Sequence, residues 1–209
     1  MTTLAARQPA ATLAAPLAAD AAIARRAMID SQLRVSGVNA PAVLAALNSV
    51  AREDFVPAEM KANAYIDRAI PLGEGQFLPA PLVHGRILGE AMPTAADTVL
   101  VVSPSGYLAA LVATFGAAVT TISPSDAGAA KQKVEPVSLL LVDGAIEHVP
   151  AGLAARLAAG GRIVTGLVER GVTRLAVGRK VAGDVTLQPL AEIGMPILAE
   201  FAAPKRWSF

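Results

Sequence analysis

Apolar and polar positions along this chain change rhythm near residue 93. Before it, apolar residues recur at helical spacing. Residues 23–34 place Ile23 and Ala27, extended by Leu33, on one side, and Arg25, Arg26 and Asp30 on the other, which predicts an amphipathic helix. Asn39-Ala40-Pro41 opens a second helix through Val50, with Asn39 as its cap and Pro41 in its first turn. Residues 52–57 end it. Segment 71–81 is dense in Gly and Pro and predicts an irregular loop, after which Pro81 starts a third helix reaching about Met92. Beyond Pro93, short apolar runs alternate with helical segments. Residues 99–102 and 119–122 read as strands flanking a helix at 108–115. Residues 137–142 form the most deeply buried strand, ending in Asp143-Gly144. A helix at 153–158, closed by Gly160-Gly161, precedes a strand at 162–167. This alternation predicts an α/β fold with a parallel, doubly wound sheet. Residues 174–178, 185–190 and 201–209 predict antiparallel edge strands, with Trp207 and Phe209 packed beneath them.

The connection between the strands at 119–122 and 137–142 is short. Residues 123–135 are enough for one direct crossover, with a brief helix at 126–134 capped by Ser125. No room is left for a further strand within that connection.

Composition narrows the picture further. A chain of 209 residues suits one domain, expected over residues 23–209. The Ala-rich residues 1–22, broken by Pro9, Pro16 and Asp20, read as a disordered or extended tail and lack the compact apolar core of a signal peptide. Hydrophobic residues make up 54% and charged residues 17%, a balance that favours elements covered on both faces. A net charge of +1 argues against a nucleic-acid partner. The absence of cysteine excludes disulfides, thiolate zinc sites and thiol nucleophiles, and fits the cytoplasm. Only His84 and His148 are present, so no metal site is expected. No run reaches the roughly 18–20 apolar residues of a membrane span. Arg170, Arg174, Arg179 and Lys180 read as a solvated basic face.

Candidate chemistry sits in two turns. In residues 99–107 an apolar strand meets a helix through Ser103-Pro104-Ser105-Gly106-Tyr107, the arrangement that holds nucleotide-type ligands. Ser103, Ser105, Gly106 and Tyr107 offer hydroxyls and N–H groups there, unless the turn is a plain helix cap. Asp143 and Gly144 lie at the carboxyl end of the central strand, where open α/β sheets place ligands, or else they form a capping turn. Glu147 and His148 either meet that carboxylate or form a surface pair.

Several segments resemble the protein-L-isoaspartate O-methyltransferases. They are Met28-Ile29-Asp30-Ser31-Gln32-Leu33-Arg34, Arg52-Glu53-Asp54-Phe55-Val56-Pro57, Ala64-Tyr65-Ile66-Asp67, Pro71-Leu72-Gly73-Glu74-Gly75-Gln76, and residues 153–164 with Gly160-Gly161-Arg162. The resemblance implies a Rossmann-like class I methyltransferase fold, S-adenosylmethionine as cofactor, and methyl transfer to isoaspartyl carboxylates of damaged proteins. Under it, Ser103, Ser105, Gly106, Tyr107, Asp143 and Gly144 hold the cofactor, and the loop carrying Gly73, Gly75 and Gln76 closes over the substrate. No catalytic acid or base is assigned, because a carboxylate nucleophile is already ionised and the transfer depends on positioning. The chain also departs from the family pattern. Phe77, Leu78 and Pro79 stand where the family has Thr, Ile and Ser. Val101, Ser103 and Pro104 replace an acid and glycines of the cofactor turn. Ile122 and Ser123 stand where a carboxylate grips the ribose, and Asp126 is the nearest acid. Between the strands at 119–122 and 137–142 the family carries a helix, an edge strand and a further helix, for which residues 123–135 are too few. The resemblance therefore implies that one sheet strand is missing and that strand 119–122 becomes an exposed sheet edge. Two expectations follow: an isoaspartyl methyltransferase, or a family member that has lost transfer and acts as a binding or assembly protein, its exposed edge a place for another copy of the chain or another protein to dock.

Overall fold

The computed structural model describes residues 14–129 and 135–203. Its first element, α1 (Ala14–Met28), runs into one π-helical turn at Ile29–Leu33. The helix therefore begins inside the stretch expected to be a tail. Alanine is the strongest helix former, and Pro16 falls in the first turn, where its missing N–H has no intrahelical partner to lose. Residues 1–13 lie outside the described residues. Helix α2 (Pro41–Ser49) starts after Ala40 rather than Asn39 and has no side-chain cap. Two 3-10 turns, Arg52–Phe55 and Ala58–Asn63, carry the chain onward.

The Gly/Pro-dense segment is not irregular. Ile70–Gly73 (β1) and Gln76–Leu78 (β2) pair as an antiparallel hairpin. Glu74 and Gly75 at its tip have φ of 52° and 75°, the positive pair that matches the twist of flanking strands. The density of turn residues masked the hairpin because its strands are so short. Helix α3 (Pro81–Ala91) buries Val83, Ile87, Leu88 and Ala91, and on the same face His84.

Next come β3 (Thr98–Val102), α4 (Tyr107–Ala113), β4 (Ala118–Ile122) and α5 (Pro124–Ala129). Ser123, not Ser125, caps α5, its Oγ accepting the Asp126 N–H at 3.1 Å. The chain continues through β5 (Val137–Ile146), α6 (Ala151–Ala155), β6 (Leu157–Glu169), β7 (Val172–Val181) and β8 (Asp184–Glu192). One six-stranded sheet results, in the order β4-β3-β5-β6-β7-β8. The pairs β3–β4, β3–β5 and β5–β6 are parallel, and β6–β7 and β7–β8 antiparallel. Among the described residues β4 is the sheet's edge.

Both faces of the parallel part are covered, which is why its strands read as continuous apolar runs. Val99, Val101, Leu139, Leu141 and Val164 share one core with α2, α3 and α4. Leu100, Val102, Leu140, Val142 and Ile163 share another with Leu153, Leu157 and Phe201. At the amino ends of the strands Asp97 ties three elements together. It accepts from Thr94, from Ser138 Oγ at 2.8 Å and from Arg162 at 3.1 Å. Partial burial alone would raise its pKa, but these donors outweigh it and the carboxyl sits below its usual value. The two long strands correct the sequence expectation. Asp143-Gly144 lies inside β5 and Gly160-Gly161 inside β6, not beyond strand or helix ends. A 3-10 turn (Ala199–Phe201) packs Phe201 under the sheet; residues 204–209, most of the last expected strand with Trp207 and Phe209, lie outside the described residues.

Candidate cofactor site

The register of β5 against β6 jumps from Leu141↔Val164 to Ala145↔Gly166, so Val142, Asp143 and Gly144 oppose Thr165 alone. Such a bulge re-aims a side chain, and here Asp143 is completely buried. Its Oδ1 lies 2.9 Å from His84 Nε2, and its Oδ2 accepts from Ser103 Oγ at 2.7 Å. Arg52 Nη1 approaches His84 Nδ1 at 3.2 Å. A guanidinium only donates and a carboxylate only accepts, so the imidazole between them accepts at Nδ1 and donates from Nε2–H. It is therefore neutral, and burial holds its pKa below the usual value despite Asp143.

Arg52 is buried as deeply as His84. Its Nε donates to the Ala64 carbonyl at 2.7 Å and its Nη2 to the Pro79 carbonyl at 2.5 Å. The guanidinium sits 5.1 Å over the Tyr107 ring, and burial lowers its pKa. Tyr107 meets His84 and Phe55 edge-on at 5.0 and 5.3 Å. Burial pushes its phenol up to about 12, and its Oη is buried without a hydrogen-bond partner among the described residues. Outside this cluster Arg25 Nε donates to Tyr65 Oη at 2.7 Å while Tyr65 donates to Glu53. Burial and the Glu53 carboxylate raise the Tyr65 phenol.

The strand-to-helix turn closes on itself. Ser103 Oγ accepts the N–H groups of Gly106 at 3.1 Å and Ser105 at 3.3 Å, and Ser105 Oγ accepts that of Tyr107 at 3.1 Å. Gly106 has φ of 78°, and a Cβ placed there would meet nothing within 4 Å. The structure thus gathers Ser103, Ser105, Gly106, Tyr107 and Asp143 into one cluster. Gly144 is adjacent and wedged against Leu198, whose Cγ would lie 2.8 Å from an added Cβ. The chain after β8 fastens to this end of β5: Ala145 N donates to Pro196 O at 2.8 Å, and Leu198 N to Ala145 O at 2.9 Å.

Gly73, Gly75 and Gln76 lie on the β1–β2 hairpin, whose exit is tied to the cluster through the Pro79–Arg52 bond. Asp143 takes His84 of α3 as its partner, not His148, while Glu147 Oε2 accepts the Ala203 N–H at 2.6 Å. Asp126 is exposed and accepts from Ser123 Oγ at 2.7 Å. Val101 is core, and Ile122 packs in the second core. Cavities of about 390 and 560 Å³ lie elsewhere, one between α1 and α2 and the other over β6–β8. Sequence reasoning missed the roles of His84 and Arg52. One signal was available: His84 falls on the apolar stripe of Val83, Ile87 and Leu88, where a polar residue needs a buried partner.

A twisted sheet with a parallel centre, an antiparallel end and helices on both faces, its strand-to-helix turn after β3 facing the end of β5, defines a Rossmann-like class I methyltransferase fold. The chain's relatives are more specific. The family profile described as "Protein-L-isoaspartate(D-aspartate) O-methyltransferase (PCMT)" matches residues 24–126. The protein-L-isoaspartate O-methyltransferase of Koribacter versatilis is 33% identical over 187 residues, covering 78% of this chain and 84% of the relative. That of Methylorubrum populi is 34% identical over 165 residues, covering 68% of this chain and 78% of the relative. A Plasmodium falciparum protein-L-isoaspartate O-methyltransferase structure, in complex with S-adenosyl-L-homocysteine, superimposes with a TM-score of 0.66 at 15% identity, covering 86% and 98% of the two chains. This chain belongs to the protein-L-isoaspartate O-methyltransferase family, and its function is isoaspartate O-methyltransferase-like.

Proposed function

We propose that this protein is an isoaspartate O-methyltransferase-like protein whose methyl-donor crevice is filled by its own side chains, so that it no longer transfers methyl groups and serves as a binding or assembly protein. The observation that carries this reading is the closed state of Asp143, buried with both oxygens engaged by His84 and Ser103. S-adenosylmethionine, the cofactor of the family, needs donors for its carboxylate, an acceptor for its ammonium and a carboxylate for its ribose. In this chain the turn's N–H groups are bonded to Ser103 and Ser105. The end of β4 offers Ile122, half-buried in the core, and the nearest acid in sequence, Asp126, is exposed in the first turn of α5 and accepts from Ser123 Oγ. The residues present do not fit the group. Losing two charge-assisted hydrogen bonds to the ribose costs about 1.5–3 kcal/mol each, roughly a hundredfold to ten-thousandfold in affinity.

The test is transfer from labelled S-adenosylmethionine to an isoaspartyl peptide, with an active relative run alongside. Incorporation no greater than in a protein-free control is expected, and multiple turnovers would overturn the reading. One observation favours an active enzyme instead. Gly106 keeps its left-handed conformation with open space before it. On that second reading Ser103, Ser105, Gly106, Tyr107, Asp143 and Gly144 hold the cofactor once the Ser103–Asp143 bond opens. The hairpin carrying Gly73, Gly75 and Gln76 then covers an isoaspartyl protein substrate. On either reading the cysteine-free sequence supports a reducing compartment such as the cytoplasm, and no described helix is long and apolar enough to cross a membrane.

A further inference from the structure

The two edges of the sheet are built differently. Edge strand β8 carries Asp184, Pro189 and Glu192, and its register against β7 jumps between Arg174 and Ala176. A charge at each end, an interior proline and a bulge are the devices that keep a strand from pairing with a stranger. Edge strand β4 reads Ala118-Val119-Thr120-Thr121-Ile122, with no charge, no proline and an unbroken register against β3. It is short, β-prone and neutral, and it ends a molecule whose net charge is only +1, so two copies approach without repulsion.

Hydrogen bonding fixes which groups of β4 face β3 and which face away from it. Ala118 N donates to Asp97 O, and Ile122 O accepts from Ser103 N, both at 3.1 Å and both toward β3. Alternation along the strand then turns the N–H and C=O of Val119 and Thr121 outward. Thr120 and Thr121 are exposed, and Val119 is half-buried.

We propose that β4 is a self-association edge: two copies pair their β4 strands antiparallel about a two-fold axis at Thr120, joining two six-stranded sheets into one. In this register Val119 of each copy faces Thr121 of the other. Each such pair exchanges two backbone bonds, so every outward group of the strand is satisfied. The two Thr120 side chains meet directly across the axis as a close, non-hydrogen-bonded pair. A single short strand buries less than the roughly 1,200 Å² of a standard interface, so the dimer is weak and concentration-dependent. The inference goes beyond the closed crevice and does not depend on it.

The absence of cysteine makes the test clean. Directly opposed Cα atoms in such a pair lie about 4.5 Å apart, within the range a disulfide spans, so Thr120→Cys should give an oxidised dimer. Ala118→Cys, displaced by two residues on each copy, should not. Sedimentation velocity over a hundredfold concentration range should show reversible dimerisation of the unmodified chain. Thr120→Lys should abolish it by opposing like charges. Thr121→Pro should abolish it by removing an outward N–H that bonds nothing among the described residues. Thermal unfolding of both variants at low concentration, where the chain is monomeric, should match the parent. A monomer at every concentration, a dimer that survives both substitutions, or cross-linking as efficient at Ala118 as at Thr120 would overturn the proposal.

Discussion

Replacing Asp143 with asparagine keeps the side chain's size and removes its charge from the centre of the buried cluster. The new oxygen can still accept the His84 N–H, 2.9 Å from Oδ1 in the parent, but without charge assistance. The new amide faces Ser103 Oγ with hydrogens, although that oxygen already accepts two backbone N–H groups. The serine proton, donated at 2.7 Å in the parent, loses its acceptor. One hydrogen bond to a charged group is lost and another weakened, at about 1.5–3 kcal/mol for the first and somewhat less for the second. Arg52 meanwhile stays buried without a compensating anion, a situation that is strongly destabilising on its own. We expect a loss of about 3 kcal/mol, roughly two orders of magnitude in the folding equilibrium. Urea unfolding should show this as a lowered midpoint with unchanged slope. Asp126→Asn, at an exposed carboxylate, should change stability by no more than about 0.5 kcal/mol. If Asp143→Asn were neutral or stabilising, the carboxylate would be one held ready for a ligand, and the account of a closed crevice would fail.

Other expected outcomes are these. Burial lowers the pKa of His84 below its usual 6.5, so below about pH 6.5 the unfolded chain binds a proton that the native state refuses. Stability should fall as pH drops from there, by up to about 1.4 kcal/mol per unit from this group. His84→Gln should remove that part of the slope, and an unchanged slope would contradict the neutral assignment. Gly166→Ala would put a Cβ 2.0 Å from Met195 Sδ and 2.8 Å from the Ala145 Cα, and since the backbone cannot yield we expect about 2–3 kcal/mol of destabilisation. Gly106→Ala meets open space and should cost only the strain of its φ of 78°, about 1–2 kcal/mol; both are read by urea unfolding, and the opposite ranking would contradict the packing at β5 and β6.

The fold was legible because strands covered on both faces announce themselves as apolar runs. Residues 99–102, 119–122 and 137–142 all became strands of the sheet. The edge position of β4 followed from the family resemblance combined with chain length, since residues 123–135 are too few for the family's extra strand and allow only one crossover. Features built from backbone geometry were hidden. The hairpin at Ile70–Leu78 consists mainly of turn residues, and the bulge that folds Asp143 inward leaves no periodic trace. Proximity of Ser103, Ser105, Gly106, Tyr107 and Asp143 was readable from the rule that strand ends converge. That these groups bind one another was not readable, because the deciding partners, Arg52 and His84, come from other layers of the fold. A lone histidine on an apolar stripe was the one local hint.

Whether the crevice is closed is tested most directly by calorimetric titration of the full chain with S-adenosyl-L-homocysteine up to millimolar concentration. The network of Arg52, His84, Asp143 and Ser103 predicts no saturable heat. A saturable isotherm with micromolar Kd would mean that these side chains give way to the ligand, and would contradict the account.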